Sequence, residues 1–174
     1  MTRPRFEKSG CQELKYSTRG VRPFPHMKKA LLLLAALFSL TLHAADFPAG
    51  SPKFFTTTAG VLKAAKQNGK PVIIVFSASW CGPCQSMKKD VYPNSLVQPL
   101  HDKFNWAYLD IDDESNSKLA EGFKVDTIPH LFFLDAAGKT TLDDLKDVTT
   151  PKDFVKKLNK VLKKAEAAQK KSDS

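Results

Sequence analysis

The 174-residue sequence predicts an α/β domain built on a mixed β-sheet, and three features carry that expectation. Val72-Ile73-Ile74-Val75-Phe76 is an unbroken apolar run, mostly β-branched, as expected of a strand covered on both faces. Helical patterns alternate with such runs on either side of it. Near the C-terminus an apolar strand, a tight turn and a second extended stretch read as a hairpin, closed by one long amphipathic helix. The apolar content of 42% suffices for a packed core and excludes wholesale disorder.

Taken in order, Ala59 to Asn68 reads as the first helix. Thr58 is placed to cap it, Val61, Leu62 and Ala65 share a face, and Gly69 stands at the C′ stop. The strand Val72–Phe76 leads into a loop over residues 77–84, which opens a helix through Met87 and Val91 up to Pro93. Asn94 to Phe104 reads as a second helical piece, and Trp106 to Ile111 as the next strand. After the acidic turn Asp112-Asp113-Glu114, Ser115 is placed to cap a short helix ending at Glu121 and Gly122. Leu131-Phe132-Phe133-Leu134 is a strand, and Asp135-Ala136-Ala137-Gly138 turns it into a partner over residues 139–142. Thr150 and Pro151 then occupy Ncap and N1 of the last helix, with Asp153 in its first turn. Its apolar stripe runs through Phe154, Val155, Leu158, Val161, Leu162 and Ala165, and residues 166–174 read as a solvated tail.

The net charge of +9 suggests an anionic partner until it is located. Residues 1–29 carry eight basic and two acidic residues, and so six of the nine net charges. All four arginines lie between Arg3 and Arg22, and the rest of the chain uses lysine alone. A nucleic-acid binder is expected to keep arginine for bidentate phosphate and base contacts, so nucleic acid is not expected as a partner. The leader explains the bias. Lys28 and Lys29 precede an apolar run from Ala30 to Leu42, and Leu42-His43-Ala44-Ala45 offers small residues for cleavage after Ala44 or Ala45. That is the layout of a secretory signal peptide over residues 27–45, directing the protein to the periplasm. The run falls short of the ~20 apolar residues a membrane span needs, which leaves an uncleaved anchor as the lesser alternative. Residues 1–26 read as a spurious or extended leader, with Met27 the expected start, and residues 46–165 as the working domain.

Chemistry concentrates at Trp80-Cys81-Gly82-Pro83-Cys84, directly after the buried strand and at a helix start. Two cysteines three apart on a helix lie about 5–6 Å apart, a separation that suits a disulfide. At the helix N-terminus the free N–H groups and the dipole favour a thiolate on Cys81, while Cys84, one turn further in, is shielded. Cys81 then attacks a substrate disulfide and Cys84 resolves the mixed disulfide, with no cofactor beyond this pair. Pro83 fits the first turn, where its missing N–H costs nothing. A lone C-x-x-C supplies two metal ligands where a zinc site needs four, so no metal site is expected. The third cysteine, Cys11, lies in the leader. Ile128-Pro129 is the second signal, because a proline at the start of an apolar strand removes a ladder donor and needs a reason. A cis bond beside the dithiol would supply one, exposing the backbone of Ile128 to an extended substrate chain.

The run Phe76-Ser77-Ala78-Ser79-Trp80-Cys81-Gly82-Pro83-Cys84, the strand ending Leu109-Asp110-Ile111-Asp112, and Thr127-Ile128-Pro129 together resemble the thioredoxin superfamily. The likeness extends from about Phe54 to Leu162. It implies a thioredoxin fold, a central mixed sheet of four to five strands flanked by helices, with Cys81 as nucleophile, Cys84 as resolver and Pro129 as the cis-proline. The stretch Val91-Tyr92-Pro93-Asn94-Ser95 and the turn after Phe133 look more like the secreted members. Two positions depart from the pattern. Where thioredoxins proper bury an aspartate that handles the resolving thiol's proton, this chain has Val75, and the accompanying lysine aligns with Tyr108. His130 follows the proline; it reads either as a partly buried strand residue or as a modulator near the dithiol, tuning its pKa or binding metal with it.

The leading expectation is an exported, monomeric protein-disulfide reductase. Gly82-Pro83 is the dipeptide of low-potential thioredoxins, near about −270 mV. A reductant in an oxidising compartment needs electrons delivered, so protein disulfides and a membrane-bound electron donor are the expected partners. The alternatives are a disulfide oxidase or isomerase, or a non-catalytic module that holds a peptide beside Pro129 or a copper or zinc ion on Cys81, Cys84 and His130.

Overall fold

The computed structural model describes residues 47–172, so the expected leader over 1–26, the signal peptide over 27–45 and Cys11 lie outside the described residues. Five strands form one sheet in the order β1 (Phe54–Phe55), β3 (Asn105–Asp110), β2 (Val72–Ser77), β4 (His130–Leu134), β5 (Thr141–Lys146). β1, β3 and β2 pair in parallel, and β4 and β5 add on antiparallel, giving the expected mixed sheet flanked by helices. β1 is only two residues long, too short to show a periodicity, and the sequence reading passed over it.

All six residues of β2 are buried, which is why its apolar run is continuous and not alternating. Alternation along the sheet divides the core into two layers. On one face Ile73, Val75, Trp106, Leu131 and Phe133 pack against α2 (Gly82–Ser86) as it continues through Met87 and Val91, and against Phe154, Leu158 and Val161 of α4 (Pro151–Ser172). On the other, Val72, Ile74, Phe76, Leu109 and Phe132 pack against Val61 and Ala65 of α1 (Thr58–Asn68) and Ala120 of α3 (Glu114–Gly122).

Several boundaries differ from expectation, each for a local reason. Thr57, not Thr58, caps α1: it is extended at φ −136°, and its hydroxyl accepts from the Gly60 amide at 3.2 Å. Asp113, not Ser115, caps α3, its carboxylate accepting from the Ser115 amide at 2.8 Å and the Asn116 amide at 3.4 Å. A carboxylate at that position also meets the positive end of the helix. Helix α2 passes into a π-helical turn over Met87–Val91, where the Tyr92 amide reaches the Met87 carbonyl at 3.0 Å. The helix expected over residues 94–104 is instead turns and a 3₁₀ segment, Gln98–Lys103, because Pro99 falls in the interior of that span, where it lacks the N–H an α-helix would donate to the Ser95 carbonyl, and it is accommodated only in the first turn of the shorter segment. The second hairpin strand starts at Thr141, two residues later than the sequence suggests. The Asp135 amide bonds the Thr140 carbonyl at 2.9 Å and its carboxylate takes the Lys139 amide at 2.8 Å, which enlarges the turn. Helix α4 continues to Ser172, so the tail expected from residue 166 is helical, though largely exposed.

β5 forms an edge of the sheet and carries Asp143, Asp144 and Lys146. Asp143 gathers three lysines of α4: Lys164 at 2.9 Å, Lys157 at 3.2 Å and Lys160 at 3.5 Å. Its side chain is only 13% exposed, and burial alone would push its carboxyl pKa up. The bonds from Lys164 and Lys157 outweigh that and hold it well below the usual carboxylate range. A pKa depressed on folding contributes stability that is present above the unfolded value of about 3.9 and fades as pH falls towards the folded one. Asp143→Ala should therefore cost about 1–2 kcal/mol at pH 7, between exposed and fully buried ion pairs. Urea midpoints taken down a pH series should show that gap narrowing below about pH 4. A gap that does not change with pH would show that Asp143 acts by packing alone.

Candidate active site

The site forms where β2 ends and α2 begins. Cys81 and Cys84 are joined as a disulfide, with 5.2 Å between their Cα atoms. Cys81 is the N-cap of α2, extended at φ −81° and ψ 102°, and its sulfur accepts from the Cys84 amide at 3.2 Å. That donor is aimed at the position of the sulfur on which a nucleophilic thiolate would form. Both cysteines are buried, Cys81 at 4% and Cys84 at 1% exposure, in a small cluster with Ala78, Ile111 and Ile128. Gly82 and Pro83 make the first turn of α2. A Cβ at Gly82 would meet nothing within 4 Å, so packing does not require glycine there.

The second wall comes from the loop before β4. The Ile128–Pro129 bond is cis. The Ile128 carbonyl oxygen lies 3.6 Å from Cys81 Sγ, so a chain lying along this segment meets the sulfur and a backbone acceptor together. Pro129 is buried, and its own carbonyl accepts from the Asp147 amide at 2.9 Å. Trp80 is 68% exposed beside the disulfide, with its indole N–H donating to both Asp112 oxygens at 3.0 and 3.1 Å.

His130 is 2% exposed. Its ring packs on Phe132 with centroids 4.1 Å apart, and Nε2 meets Asp144 Oδ2 at 3.1 Å. Its contacts thus run along β4 and across to β5. Among the described residues no group of three or more His, Cys, Asp or Glu side chains is placed to hold a metal ion.

Val75 and Tyr108 sit opposite one another in the β2–β3 register, and Val75 is completely buried among apolar side chains. The Tyr108 hydroxyl pairs with Ser77 Oγ at 2.5 Å. Burial raises the Tyr108 pKa and the Asp110 charge adds to it, against the Ser77 bond. Burial also raises Tyr92 well above its ordinary value, with Tyr108 contributing. Neither phenol can act as a base at neutral pH.

The pairings made by Asp112, Asp144, Asp147 and Ser77 are not visible in the sequence. Each acts across the sheet or between loops, 14 to 32 residues from its partner, and no local spacing reports such a pairing.

The family model of the thioredoxin-like domain matches residues 59–162. The chain belongs to the thioredoxin-like family. Thioredoxin-like protein HCF164, chloroplastic, of Arabidopsis thaliana is 35% identical over 109 residues, which is 63% of this chain and 41% of that protein. The thiol:disulfide interchange protein TxlA homolog of Synechocystis is 31% identical over 84 residues, 48% of this chain and 46% of that protein. The matched region thus spans less than half the length of these curated relatives. Among solved structures, a thioredoxin from Thermus thermophilus superposes with a TM-score of 0.62 at 24% identity, covering 68% of this chain and 93% of that one. The C-terminal domain of Neisseria meningitidis DsbD in its oxidised form gives 0.54 at 20% identity, covering 62% and 97%. These superpositions establish a thioredoxin-like fold, with Cys81–Cys84 as its C-x-x-C pair.

Proposed function

We propose that this thioredoxin-like protein is an exported thiol–disulfide oxidoreductase that reduces protein disulfides. The observation that carries the reading is the Cys81–Cys84 disulfide at the start of α2, with the Ile128 carbonyl 3.6 Å from the outer sulfur. The reduced pair starts the cycle. The Cys81 thiolate attacks one sulfur of a substrate disulfide; the substrate S–S bond breaks and the leaving thiolate takes a proton from solvent. The Cys84 thiolate then attacks Cys81 Sγ in the mixed disulfide, releasing the second substrate thiol and forming Cys81–Cys84. Two electrons have passed to the substrate, and a dithiol donor restores the pair by the same exchange in reverse.

Trp80, Gly82, Pro83, Ile128 and Pro129 form the wall on which the substrate chain lies, and the cycle needs no cofactor. The names of the relatives fit thiol–disulfide exchange: a thiol:disulfide interchange protein DsbD of Pseudoalteromonas atlantica is 30% identical over 80 residues, 14% of that protein. The basic and apolar pattern of residues 27–45 supports export, and an exported reductant needs a membrane-bound electron donor. The working unit is monomeric and makes no use of nucleic acid.

The deciding experiment is the reduction potential of the Cys81–Cys84 pair, from equilibration with a glutathione or dithiothreitol buffer. A reductant with Gly-Pro between its cysteines is expected near about −270 mV, and a value near about −120 mV would make the protein an oxidase.

A further inference from the structure

We propose that His130 and Asp144 form a positioning pair that holds the Ile128–Pro129 peptide against Cys81, so that the site favours disulfides carried on an extended chain over small free ones. The inference rests on the thiol–disulfide reading above.

His130 is an expensive choice for its place. Phe76 faces it in the β2–β4 register and Phe132 lies against its ring, so an apolar side chain would fill the position at no polar cost. The imidazole instead leaves Nδ1 buried with no hydrogen-bond partner, which costs the desolvation of a polar atom with nothing in return. What the ring gains is the 3.1 Å contact from Nε2 to Asp144 on β5.

That contact runs diagonally across the ladder, since the register sets His130 opposite Lys146 and Phe132 opposite Asp144. The charged groups around the ring are already sorted. Lys146 is held by Asp126 at 2.8 and 2.9 Å, which leaves Asp144 to the imidazole. Asp144 is itself anchored, because its carbonyl accepts from Lys157 of α4 at 3.0 Å. A second tie lies alongside: the Asp147 amide donates to the Pro129 carbonyl at 2.9 Å. Asp147 reaches that position in the left-handed region at φ 69°, uncommon for a residue other than glycine, with its carboxylate accepting from the Val148 amide at 2.7 Å.

β5 and the residue that follows it therefore grip the segment twice, Asp147 through the Pro129 carbonyl and Asp144 through the side chain of the next residue. The Ile128 carbonyl is left facing Cys81. A substrate that pairs its backbone with Ile128 depends on where this peptide sits, and a displacement of about 1 Å can cost on the order of a hundredfold in rate. A small disulfide has no backbone to align and is far less sensitive.

The test compares single-turnover oxidation of the pre-reduced chain by insulin and by hydroxyethyl disulfide, read by acid quench. In His130→Phe and in Asp144→Ala the insulin-to-small-disulfide rate ratio should fall about tenfold, and the double variant should fall no further, as for two residues acting as one unit. Asp144→Asn keeps an acceptor for Nε2 and should hold the ratio within about twofold of wild type. Asp144→Ala alters an exposed edge strand, so it carries the test even where His130→Phe folds poorly. An unchanged ratio, an equal loss on both substrates, or additive losses in the double variant would overturn the proposal. Should the wild-type protein react with neither disulfide, the thiol–disulfide reading fails and the positioning claim is decided by amide hydrogen exchange. Asp144→Ala should then speed exchange of the Asp147 amide about tenfold over that of Phe133, and equal protection would sink it.

Discussion

Cys81→Ser should bring insulin reduction by dithiothreitol down to the uncatalysed rate, a loss of at least about a hundredfold, because a serine hydroxyl at neutral pH is neither ionised nor able to form the S–S bond. Cys84→Ser should behave differently. Cys81 keeps the donor that favours its thiolate, the 3.2 Å bond from the residue-84 backbone amide, so attack proceeds and stops at the mixed disulfide. Turnover vanishes while a covalent adduct accumulates, visible on a non-reducing gel and released by dithiothreitol. The asymmetry is structural in origin: Cys81 is the helix cap, and Cys84 lies beneath it at 1% exposure. Adducts forming on Cys84 in the Cys81→Ser variant as fast as on Cys81 would reverse the assigned roles, and full turnover in either variant would end the dithiol mechanism.

Trp106→Ala should be the most damaging single change to the fold, at about 3–5 kcal/mol out of a total stability of about 5–15. The indole is 1% exposed on β3 and touches the rings of Phe54, Tyr92, Phe104 and Phe154 at centroid distances of 5.9 to 6.2 Å. Its Nε1–H donates to the His101 carbonyl at 3.0 Å, so the same side chain secures the 3₁₀ segment before β3. Truncation opens a cavity between the sheet and α4 and removes a bond at one stroke. Urea unfolding should show a lower midpoint with little change in slope. A loss under about 1 kcal/mol would mean that neighbouring rings close the gap.

What could be read from the sequence follows the range of each interaction. β2 and the stripe of α4 were legible because burial writes itself into consecutive or periodic residues, and the dithiol because its two members lie one turn apart. The cis bond at Pro129 was inferred from a proline where a ladder donor is needed. The caps were missed by one or two residues, since Thr57, Thr58, Asp113 and Ser115 are all competent and the backbone decides among them. The His130 partner was out of reach. Asp144 meets it only through the β4–β5 register, and a one-residue change in that pairing would have turned the carboxylate to the opposite face.

The sheet's margins have a consequence for life in a crowded compartment. On the proposed function the protein offers bare main chain to strangers, and so runs the risk of being templated by them, or by its own copies, along any open strand. Here one margin is a two-residue strand and the other bears Asp143, Asp144 and Lys146, with three α4 lysines drawn across it. On the proposed function, the main chain offered to a substrate is then the Ile128 peptide, where a visitor's stay ends when its disulfide opens and the chain departs. The charged margin so protects solubility in the same molecule whose working face must remain adhesive.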